Sequence, residues 1–216
     1  MEIITLSDRT LSPAALFAVA AAIGKNKIVA LPTDTVYGLA AAADSPRAIK
    51  RIFALKKRPE HKPLPVLVNS LAMAKTVGHI NAANERLLQS FWPAPISVIL
   101  FKRDATLSEL TAGGSTVMVR WPNDSLLHKV ITAVGRPITG TSANISGEDS
   151  FVDGALLIKR FAREKLQPDI VVCATTEQRQ NIPSTIIDLT GARPKILRVG
   201  MTDRETLSTL LSLAGQ

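Results

Sequence analysis

The segment Ser45–Val68 reads SPRAIKRIFALKKRPEHKPLPVLV and contains a helix signal followed by a strand signal. A serine that can cap a helix stands directly before Pro46, which suits the first helical position. The next apolar residues share one face of such a helix: Ile49, Ile52 and Phe53. The apolar run Leu64–Val68 then predicts a short buried strand. This order predicts a fold in which helices and strands follow one another along the chain.

The same signals recur from one end of the chain to the other. Further helices are predicted to begin at Ser12, Ser70, Ala83, Ser125, Asp153 and Asp203, and further strands to cover Lys27–Leu31, Ser97–Phe101, Thr116–Trp121, Pro137–Thr139, Ile170–Cys173, Ser184–Leu189 and Lys195–Val199. Because the strands come in pairs after Pro93, a mixed sheet is favoured over a parallel one. We therefore predict an α/β (α+β) fold with one mixed sheet, flanking helices and a single domain over residues 1–216.

The 216 residues include 26 Lys and Arg against 18 Asp and Glu, which gives a net charge of +8. An apolar fraction of 46% excludes a disordered chain, and the single cysteine, Cys173, excludes a disulfide framework. No stretch approaches the ~20 apolar residues that span a bilayer, so a cytoplasmic location without membrane insertion is predicted. The positive charge predicts an anionic partner, which is a nucleic acid, a nucleotide or an anionic membrane surface.

Two common nucleotide-binding fingerprints are absent, since the sequence contains neither GxxxxGK[ST] nor GxGxxG. The three histidines, His61, His79 and His128, lack the spacing of metal ligands, and no metal-ligating residue is predicted. Four polar segments remain as candidates for chemistry, and each of them is a weak signal when taken singly.

The first two polar segments lie on either side of the second predicted helix. Leu31–Leu39, LPTDTVYGL, follows a strand, where α/β proteins place ligand groups, but a Thr/Asp turn with a packed tyrosine explains it equally well. Lys56–Pro63, KKRPEHKP, ends the helix with cations, which are favourable there even in a solvated cap. Its two prolines stiffen the loop and fix the directions of Arg58 and Lys62, which suits a polyphosphate.

The other two polar segments lie in the second half of the chain. Gly140–Gly147, GTSANISG, can leave backbone N–H groups open to an anion, or can form a glycine-closed loop in which Asn144 satisfies its own backbone. Pro183–Ile186 is followed by Ile196–Gly200, and Arg120 adds a further cation at the end of a predicted strand.

Six motifs occur along the chain in the order PTDTVYGL, KKRPEHKPL, VRWP, TSANISG, PSTIID and ILRVG. This set resembles the YrdC/Sua5 family, the L-threonylcarbamoyladenylate synthases. The resemblance implies a nucleotidyltransferase (EC 2.7.7.87) that forms threonylcarbamoyl-AMP and diphosphate from L-threonine, bicarbonate and ATP. It also implies a twisted mixed sheet with a basic concave face, in the single-domain, YrdC-type form without an additional C-terminal domain.

The family's site residues carry over motif by motif. For ATP, the resemblance implies Arg58, Lys62, Thr116, Ser142, Asn144 and Arg198, with Lys56 and Arg58 as catalytic residues near the phosphates. For L-threonine, it implies Thr35, Arg120, which is expected at the carboxylate, and Ser184. The segment Ser142–Asn144 is expected near both the nucleotide and Mg²⁺.

The implied product feeds formation of N6-threonylcarbamoyladenosine at position 37 of tRNAs that read ANN codons. Downstream tRNA threonylcarbamoyl-transfer proteins are therefore implied partners, and weak RNA binding is a secondary expectation. Two other functions stay open: a non-catalytic module that binds tRNA or double-stranded RNA, and a YciO-like paralogue of different activity. An aromatic content of 4% supplies few stacking side chains for RNA, and KKR, SAN and PST are intact, so the synthase is favoured.

The implied reaction agrees with the residue inventory. A carbamate formed from threonine and bicarbonate is already an anionic nucleophile for the α-phosphorus of ATP. Such a step needs positioning and charge neutralisation more than a covalent nucleophile, so no Cys/His/Asp triad is required. We expect Lys56, Arg58, Lys62 and Arg198 to offset the phosphate charge, with Mg²⁺ bridging phosphate oxygens.

Overall fold

The computed structural model describes residues 1–6, 10–174 and 182–213, along which helices and strands alternate. The helices are α1 Pro13–Gly24, α2 Pro46–Lys56, α3 Leu71–Val77, α4 Ala82–Phe91, α5 Ser125–Val134, α6 Gly154–Phe161 and α7 Arg204–Leu213. The strands are β1 Glu2–Leu6, β2 Val29–Leu31, β3 Gly38–Ala40, β4 Val66–Leu67, β5 Ile96–Phe101, β6 Thr116–Arg120, β7 Ile138–Thr139, β8 Thr141–Ser142, β9 Ile170–Ala174, β10 Thr185–Asp188 and β11 Lys195–Arg198.

The first three helices begin where the serine caps predicted them. The hydroxyl oxygens of Ser12, Ser45 and Ser70 each accept a hydrogen bond from the backbone N–H three residues further on, at 3.2, 3.2 and 3.1 Å. The carboxylate of Asp124 caps α5 in the same way, by accepting from the N–H of Leu127 at 3.0 Å. These bonds satisfy N–H groups that the first turn of a helix leaves without a partner.

Five strands form one mixed sheet in the order β1-β9-β2-β3-β8. β1, β9 and β2 are parallel, whereas β3 pairs antiparallel with both β2 and β8. The helices α1 and α5 pack against this sheet through an apolar cluster that includes Val19, Ile23, Val29 and Val130. The loop between β2 and β3 carries the PTDTVY sequence, so the sheet places that motif at one end of a tight antiparallel pair.

Six strands form a second mixed sheet in the order β11-β10-β5-β6-β4-β7. Alternate residues of β6 have opposite surroundings, since Val117 and Val119 are buried in the largest apolar cluster while Thr116 and Met118 are partly exposed. Arg120, at the end of the strand, points to the same side as Thr116 and Met118. The sheet therefore has one face in the core and one face that is partly exposed, and Arg120 lies on the partly exposed face.

The chain forms two mixed sheets where the sequence predicted one. β7 lies at the edge of the six-stranded sheet and β8 at the edge of the five-stranded sheet, and only Gly140 separates them. A Cβ at Gly140 would stand 2.4 Å from Leu67, so this crossing tolerates no side chain. Thr139 links the sheets, because its hydroxyl donates to the carbonyl of Leu39 and its N–H to that of Ala41. This join brings the motifs of both sheets to one place.

The α+β class is confirmed, and the differences concern short or irregular elements. The structure adds β1, β3 and β8, which the sequence did not predict; β3 and β8 span three and two residues, too few for a periodic apolar pattern. The helix predicted to begin at Asp153 has Asp153 as its cap and ends at Phe161. Among the described residues, no helix is long and apolar enough to cross a membrane.

Candidate active site

The loop between β2 and β3 is ordered by hydroxyl groups. Thr33 donates its hydroxyl hydrogen to the carbonyl of Val36 at 2.7 Å and accepts from the N–H of Thr35 at 3.0 Å. The hydroxyl oxygens of Thr33 and Thr35 are 3.0 Å apart. Since a hydroxyl has one hydrogen, Thr35 is the donor of this pair and keeps its own oxygen free to accept. Thr33 thus fixes the direction of the hydroxyl that the sequence predicted to contact threonine.

Arg120 supplies the donor that reaches that oxygen. Its Nη1 donates to the hydroxyl oxygen of Thr35 at 3.2 Å, and its Nη2 forms an ion pair with Asp34. The side chain is 7% exposed, and burial lowers the pKa of the Arg120 guanidinium to about 10, an effect that the charge of Asp124 partly offsets. Among the described residues, none accepts a hydrogen bond from the buried Nε–H of Arg120. A buried guanidinium whose Nε–H lacks an acceptor is suited to bind a carboxylate.

Ser184, the third residue predicted to contact threonine, joins the same group through a residue that the sequence did not single out. Ser97 of β5 lies directly opposite Arg120 of β6, so their side chains share one face of the sheet. The hydroxyl oxygens of Ser97 and Ser184 are 2.9 Å apart. Thr35, Arg120, Ser97 and Ser184 therefore form a continuous row. Ser97 is a polar residue in an otherwise apolar strand, and this was its signal in the sequence.

A small cavity lies beside this row. It measures about 30 Å³ and is lined by Thr35, Arg120, Gly140 and Ser142 among others. That volume is close to the share of one water molecule in liquid water. Of the row, Thr35 and Arg120 line this narrow cavity, which is too small for an amino acid unless the loops around it shift outward.

Lys56 lies at the end of α2 and is fully buried, with 1% of its surface exposed. Its ammonium donates to the carbonyl of Ser142 at 2.5 Å, and to the carbonyl and side-chain oxygens of Asn144, both at 2.8 Å. Burial, with a smaller contribution from the charge of Arg58, lowers the pKa of Lys56 to about 7. An ammonium group has three hydrogens, and all are used here. In this arrangement Lys56 holds the segment Ser142–Asn144, and its expected catalytic role near the phosphates stays a prediction.

Arg58 and Lys62 lie in the loop that follows α2. The guanidinium of Arg58 donates to the carbonyls of Lys62 at 3.2 Å and Pro63 at 2.9 Å, so this side chain closes the loop on itself. Partial burial lowers the pKa of Arg58, while Lys62 is exposed. The sequence predicted that prolines would fix the direction of Arg58, and the loop carbonyls contribute to that effect.

The last two ATP contacts expected from the sequence lie far from one another. Arg198 of β11 is exposed and donates through Nε and Nη2 to the carbonyl of Ser184, at 3.1 and 2.8 Å. It therefore stands next to the row that contains Ser184. Thr116 lies at the opposite end of β6 from Arg120, four residues or about 14 Å away. The structure places Thr116 on the same face as Arg120 but does not bring it into the group.

The sequence left open whether Leu31–Leu39 supplies ligand groups or forms a turn with a packed tyrosine. In the structure Tyr37 is a packed residue. Its ring is 1% exposed, and its hydroxyl oxygen accepts from the N–H of Ala174 at 3.2 Å. A Cβ at Gly154 would stand 2.7 Å from that oxygen, so helix α6 packs directly on the ring. The phenol thus holds the PTDTVY loop against α6 and β9.

The residues expected near Mg²⁺ do not fit a resident metal ion. The side-chain oxygen of Asn144 already accepts from the ammonium of Lys56 and from the hydroxyl of Ser142, at 2.8 and 2.7 Å. A neighbouring ammonium disfavours a second cation. In the described parts of the chain, no group of three or more His, Cys, Asp or Glu is placed to hold a metal.

The largest cavity described lies outside this group. It measures about 540 Å³ and lies between α2 and the residues that follow β5, with Phe53, His61 and Glu109 in its lining. None of the residues that the sequence predicted to bind ATP or threonine lines it. Size alone therefore does not locate the candidate site, which is identified by the side chains that converge.

Comparison with known proteins gives a consistent result. The family model for Sua5, YciO and YrdC proteins, described as "Telomere recombination", matches residues 21–200. A protein of Pyrococcus abyssi named threonylcarbamoyl-AMP synthase is 35% identical over 88% of this chain and 55% of its own length. A protein of Mycobacterium tuberculosis named putative threonylcarbamoyl-AMP synthase is 32% identical over 89% of this chain and 87% of its own length.

Solved structures share the fold. The crystal structure of Sua5 from Pyrococcus abyssi complexed with L-threonine has a TM-score of 0.90 and 32% identity, and the match covers 98% of this chain and 61% of that one. YciO from Escherichia coli has a TM-score of 0.83 at 20% identity, which shows the fold alone. This chain thus spans 55% of the length of the archaeal relative and 61% of the archaeal structure.

Proposed function

Because the chain belongs to the Sua5/YciO/YrdC family, we propose that it is an L-threonylcarbamoyladenylate synthase. The observation that carries this proposal is that Thr35, Arg120 and Ser184 lie in one row, which offers hydroxyl groups and a guanidinium N–H, with Thr35 and Arg120 in the lining of the small cavity. A small hydroxylated amino acid with a carboxylate matches these groups. The P. abyssi Sua5 structure was solved with L-threonine, which supports the same ligand here.

In this proposal Arg120 binds the carboxylate of threonine through its free Nε–H. The guanidinium edge that faces Asp34 in this structure is then shared between Asp34 and the threonine carboxylate. Thr35 and Ser184 accept from or donate to the threonine hydroxyl and amine. Since Arg120 is buried, its charge acts in a medium of low effective dielectric constant. Its attraction for a carboxylate is therefore stronger than it would be at the surface. A ligand without a carboxylate would leave the buried Nε–H of Arg120 without an acceptor, and this disfavours such a ligand.

ATP lies beside this row, with its phosphates at the loop that carries Arg58 and Lys62. Threonine's amine and bicarbonate condense to a carbamate and water. A carbamate oxygen then forms a bond to the α-phosphorus of ATP, the bond between that phosphorus and the bridging oxygen to the β-phosphate breaks, and diphosphate leaves. Arg58, Lys62 and Arg198 offset the negative charge on the transferring group and on diphosphate, and this electrostatic stabilisation supplies most of the catalysis.

Mg²⁺ enters as part of the substrate, bound to the phosphates of ATP, since it binds mainly through phosphate oxygens and water. Lys56 has a positioning role in this scheme, because its three hydrogens hold the oxygens of Ser142 and Asn144. The segment Ser142–Asn144 then lines the nucleotide. The product is passed to the proteins that modify adenosine 37 of tRNAs reading ANN codons.

The test uses the isolated protein with L-threonine, bicarbonate and Mg-ATP in the absence of RNA. We expect release of diphosphate that requires all three substrates, together with a product that has the mass of threonylcarbamoyl-AMP. Serine serves as the matched control substrate, because it keeps the hydroxyl and carboxylate but lacks one methyl group. Diphosphate release that does not depend on threonine would contradict the proposal. RNA binding without any product would instead favour the non-catalytic RNA-binding module.

A further inference from the structure

Two loops of the candidate site are joined by a set of charges on the outside of the molecule. The first loop, Lys57–Pro63, carries Arg58 and Lys62, and the second, Ser142–Glu148, carries Asn144. The first begins at Lys57, which has a left-handed backbone with φ of 49°, and the second ends at Glu148. The side chains of these two end residues pair with α6 and with the residues that directly follow it.

The external connection consists of four charged side chains. Lys57 pairs with Glu164 at 2.9 Å, just after α6. Glu164 pairs with Arg160 of α6 at 2.8 Å. Arg160 pairs with Glu148 through two bonds, from Nε at 2.8 Å and from Nη2 at 2.6 Å. The planar fork of the guanidinium thus fixes the Glu148 carboxylate in orientation as well as in distance.

The connection continues inward through the backbone of the same residue. The carbonyl of Glu148 accepts from the side-chain amide of Asn144 at 2.5 Å, and the opposite side of that amide accepts from Lys56. Lys56 precedes Lys57 in the chain, and its own carbonyl accepts from the N–H of Ser146 at 2.8 Å. The contacts therefore close a ring that passes through both loops, with Arg160 as the member that carries three of the charged bonds.

We propose that Arg160 is a positioning residue for nucleotide binding, which acts by holding the loops Lys57–Pro63 and Ser142–Glu148 at a fixed separation. This inference rests on the proposed function, since it assigns ATP to these two loops. Arg160 does not reach the substrate itself in this scheme. It orders Asn144 through Glu148, and it orders the loop of Arg58 through Glu164 and Lys57. Binding then costs less conformational entropy, because the loops are arranged before ATP arrives.

The electrostatics of the ring agree with that role. Hydrogen bonds from Arg160 and Lys57 lower the pKa values of Glu148 and Glu164, so both carboxylates stay charged at neutral pH. Arg160 is partly covered, with 24% of its side chain exposed, whereas Lys57 is 62% exposed. The Arg160 bonds are therefore the less screened part of the ring, and the bond to Lys57 is the more easily replaced by water.

The experiment compares the kinetic constants and the ATP affinity of the wild-type protein with those of Arg160→Met. We expect KM for ATP to rise about threefold to tenfold, while kcat changes by less than about twofold and KM for threonine stays unchanged. Titration calorimetry with a non-hydrolysable ATP analogue should show the same loss of affinity. The ratio of the KM for ATP of the variant to that of the wild type should shrink at high salt, because salt screens the charges of the ring in the wild-type protein.

Two variants control for a merely structural effect. Arg136→Met removes another partly exposed arginine–carboxylate pair, the one with Asp44 at 3.0 Å, which belongs to neither loop, and should leave KM for ATP unchanged. Arg160→Lys keeps the charge but loses the fork, and should restore part of the ATP affinity. Adding Glu148→Gln to Arg160→Met should have little further effect, since both act through one contact.

Equal ATP affinities for the wild type and Arg160→Met would overturn the inference, and so would a loss matched by Arg136→Met. A KM for threonine that rises as much as the KM for ATP would also contradict it, because a general loss of structure has that signature. A wild-type protein that binds the ATP analogue but forms no product would contradict only the proposed function. The affinities of the variants then still decide whether Arg160 positions the loops.

Discussion

Two groups of side chains in the candidate site differ in how much of their surface meets water. The first, which we call the buried row, consists of Thr35, Arg120, Ser97 and Ser184, and each of its residues is 3–8% exposed. The second, which we call the open cations, consists of Arg58, Lys62 and Arg198, of which Arg58 is partly exposed and the other two are exposed. The hydrogen bonds of the buried row run between side chains, whereas Arg58 and Arg198 donate to backbone carbonyls.

The difference matches the two kinds of substrate that we propose. A small amino acid is distinguished by a few polar atoms, and buried groups of fixed direction penalise a ligand that leaves them unpaired. A triphosphate is recognised mainly by its charge, which exposed cations attract over a longer distance but which salt weakens. Changes in the buried row should therefore alter folding and threonine selection together, and changes in the open cations should alter ATP binding alone.

The largest expected effect comes from the centre of the buried row. Arg120→Met leaves Asp34, whose side chain is only 10% exposed, without its ion-pair partner. Loss of one partner of a buried pair costs about 3–5 kcal/mol of unfolding free energy, and we expect threonine-dependent diphosphate release to fall below detection. Urea unfolding and a diphosphate assay measure the two effects. Arg120→Lys keeps a charge near Asp34 and should recover part of the stability but little activity. An Arg120→Met protein with the stability and the KM for threonine of the wild type would show that the buried row does not differ from the open cations in these two properties.

The second effect concerns the open cations. Arg58→Ala removes only two bonds to the loop carbonyls, so the unfolding free energy should change by less than about 1 kcal/mol. The value of kcat/KM for ATP should fall about 100-fold, since one electrostatic contact to the reacting phosphates is lost. Steady-state kinetics at varied ATP test this, with Arg47→Ala on the exposed face of α2 as the control. A folded Arg58→Ala protein with wild-type turnover would exclude the proposed role.

The third prediction concerns Lys56, which belongs to neither group and donates to Ser142 and Asn144. Below pH 7 this residue is charged in both the folded and the unfolded chain, so the cost of burying its charge is complete there. As the pH rises from about 7 towards 10.5, the unfolded chain keeps a proton that the folded chain has lost. The unfolding free energy of the wild type should then rise relative to Lys56→Met, by up to about 1.4 kcal/mol per pH unit.

Urea unfolding of both proteins between pH 6 and pH 9.5, a range chosen to bracket the pKa of about 7, measures that difference. Lys102→Met serves as the control, because Lys102 donates one bond to a loop carbonyl at 3.3 Å and is less buried. A difference between the wild type and Lys56→Met that is independent of pH would show that the charge of Lys56 is not penalised by burial.

The smallest expected effect is that of Lys62→Ala. The side chain is exposed, and an exposed cation contributes little to stability. KM for ATP should rise about twofold to fivefold at low salt, with kcat unchanged, and the effect should disappear at high ionic strength. Kinetics at two salt concentrations test this. An effect on KM that persists in high salt would mean that Lys62 contacts ATP as a buried group does, and not as an exposed cation.

Much of this site could be predicted from the sequence because its residues lie in short motifs. Thr35, Arg58 and Ser142 were assigned from the resemblance, and in the structure Thr35 contacts Arg120 while Ser184 contacts Ser97 on the neighbouring strand. Ser97 and Arg160 could not be assigned in this way, since each lies alone in an ordinary strand or helix. Their roles come from partners 87 and 12 residues away, and such pairings have no local signal.

The sequence alone determined the starts of the helices, the mixed α+β class and the set of motifs. These depend on local physics, namely serine caps, the period of apolar residues and proline stiffness. The tertiary structure alone decided that the strands form two sheets, that Lys56 is buried with all its hydrogens used, and that Arg120 pairs with Asp34 86 residues away. The physical reason is that burial and long-range pairing depend on how the sheets pack at Gly140. No local pattern specifies that packing.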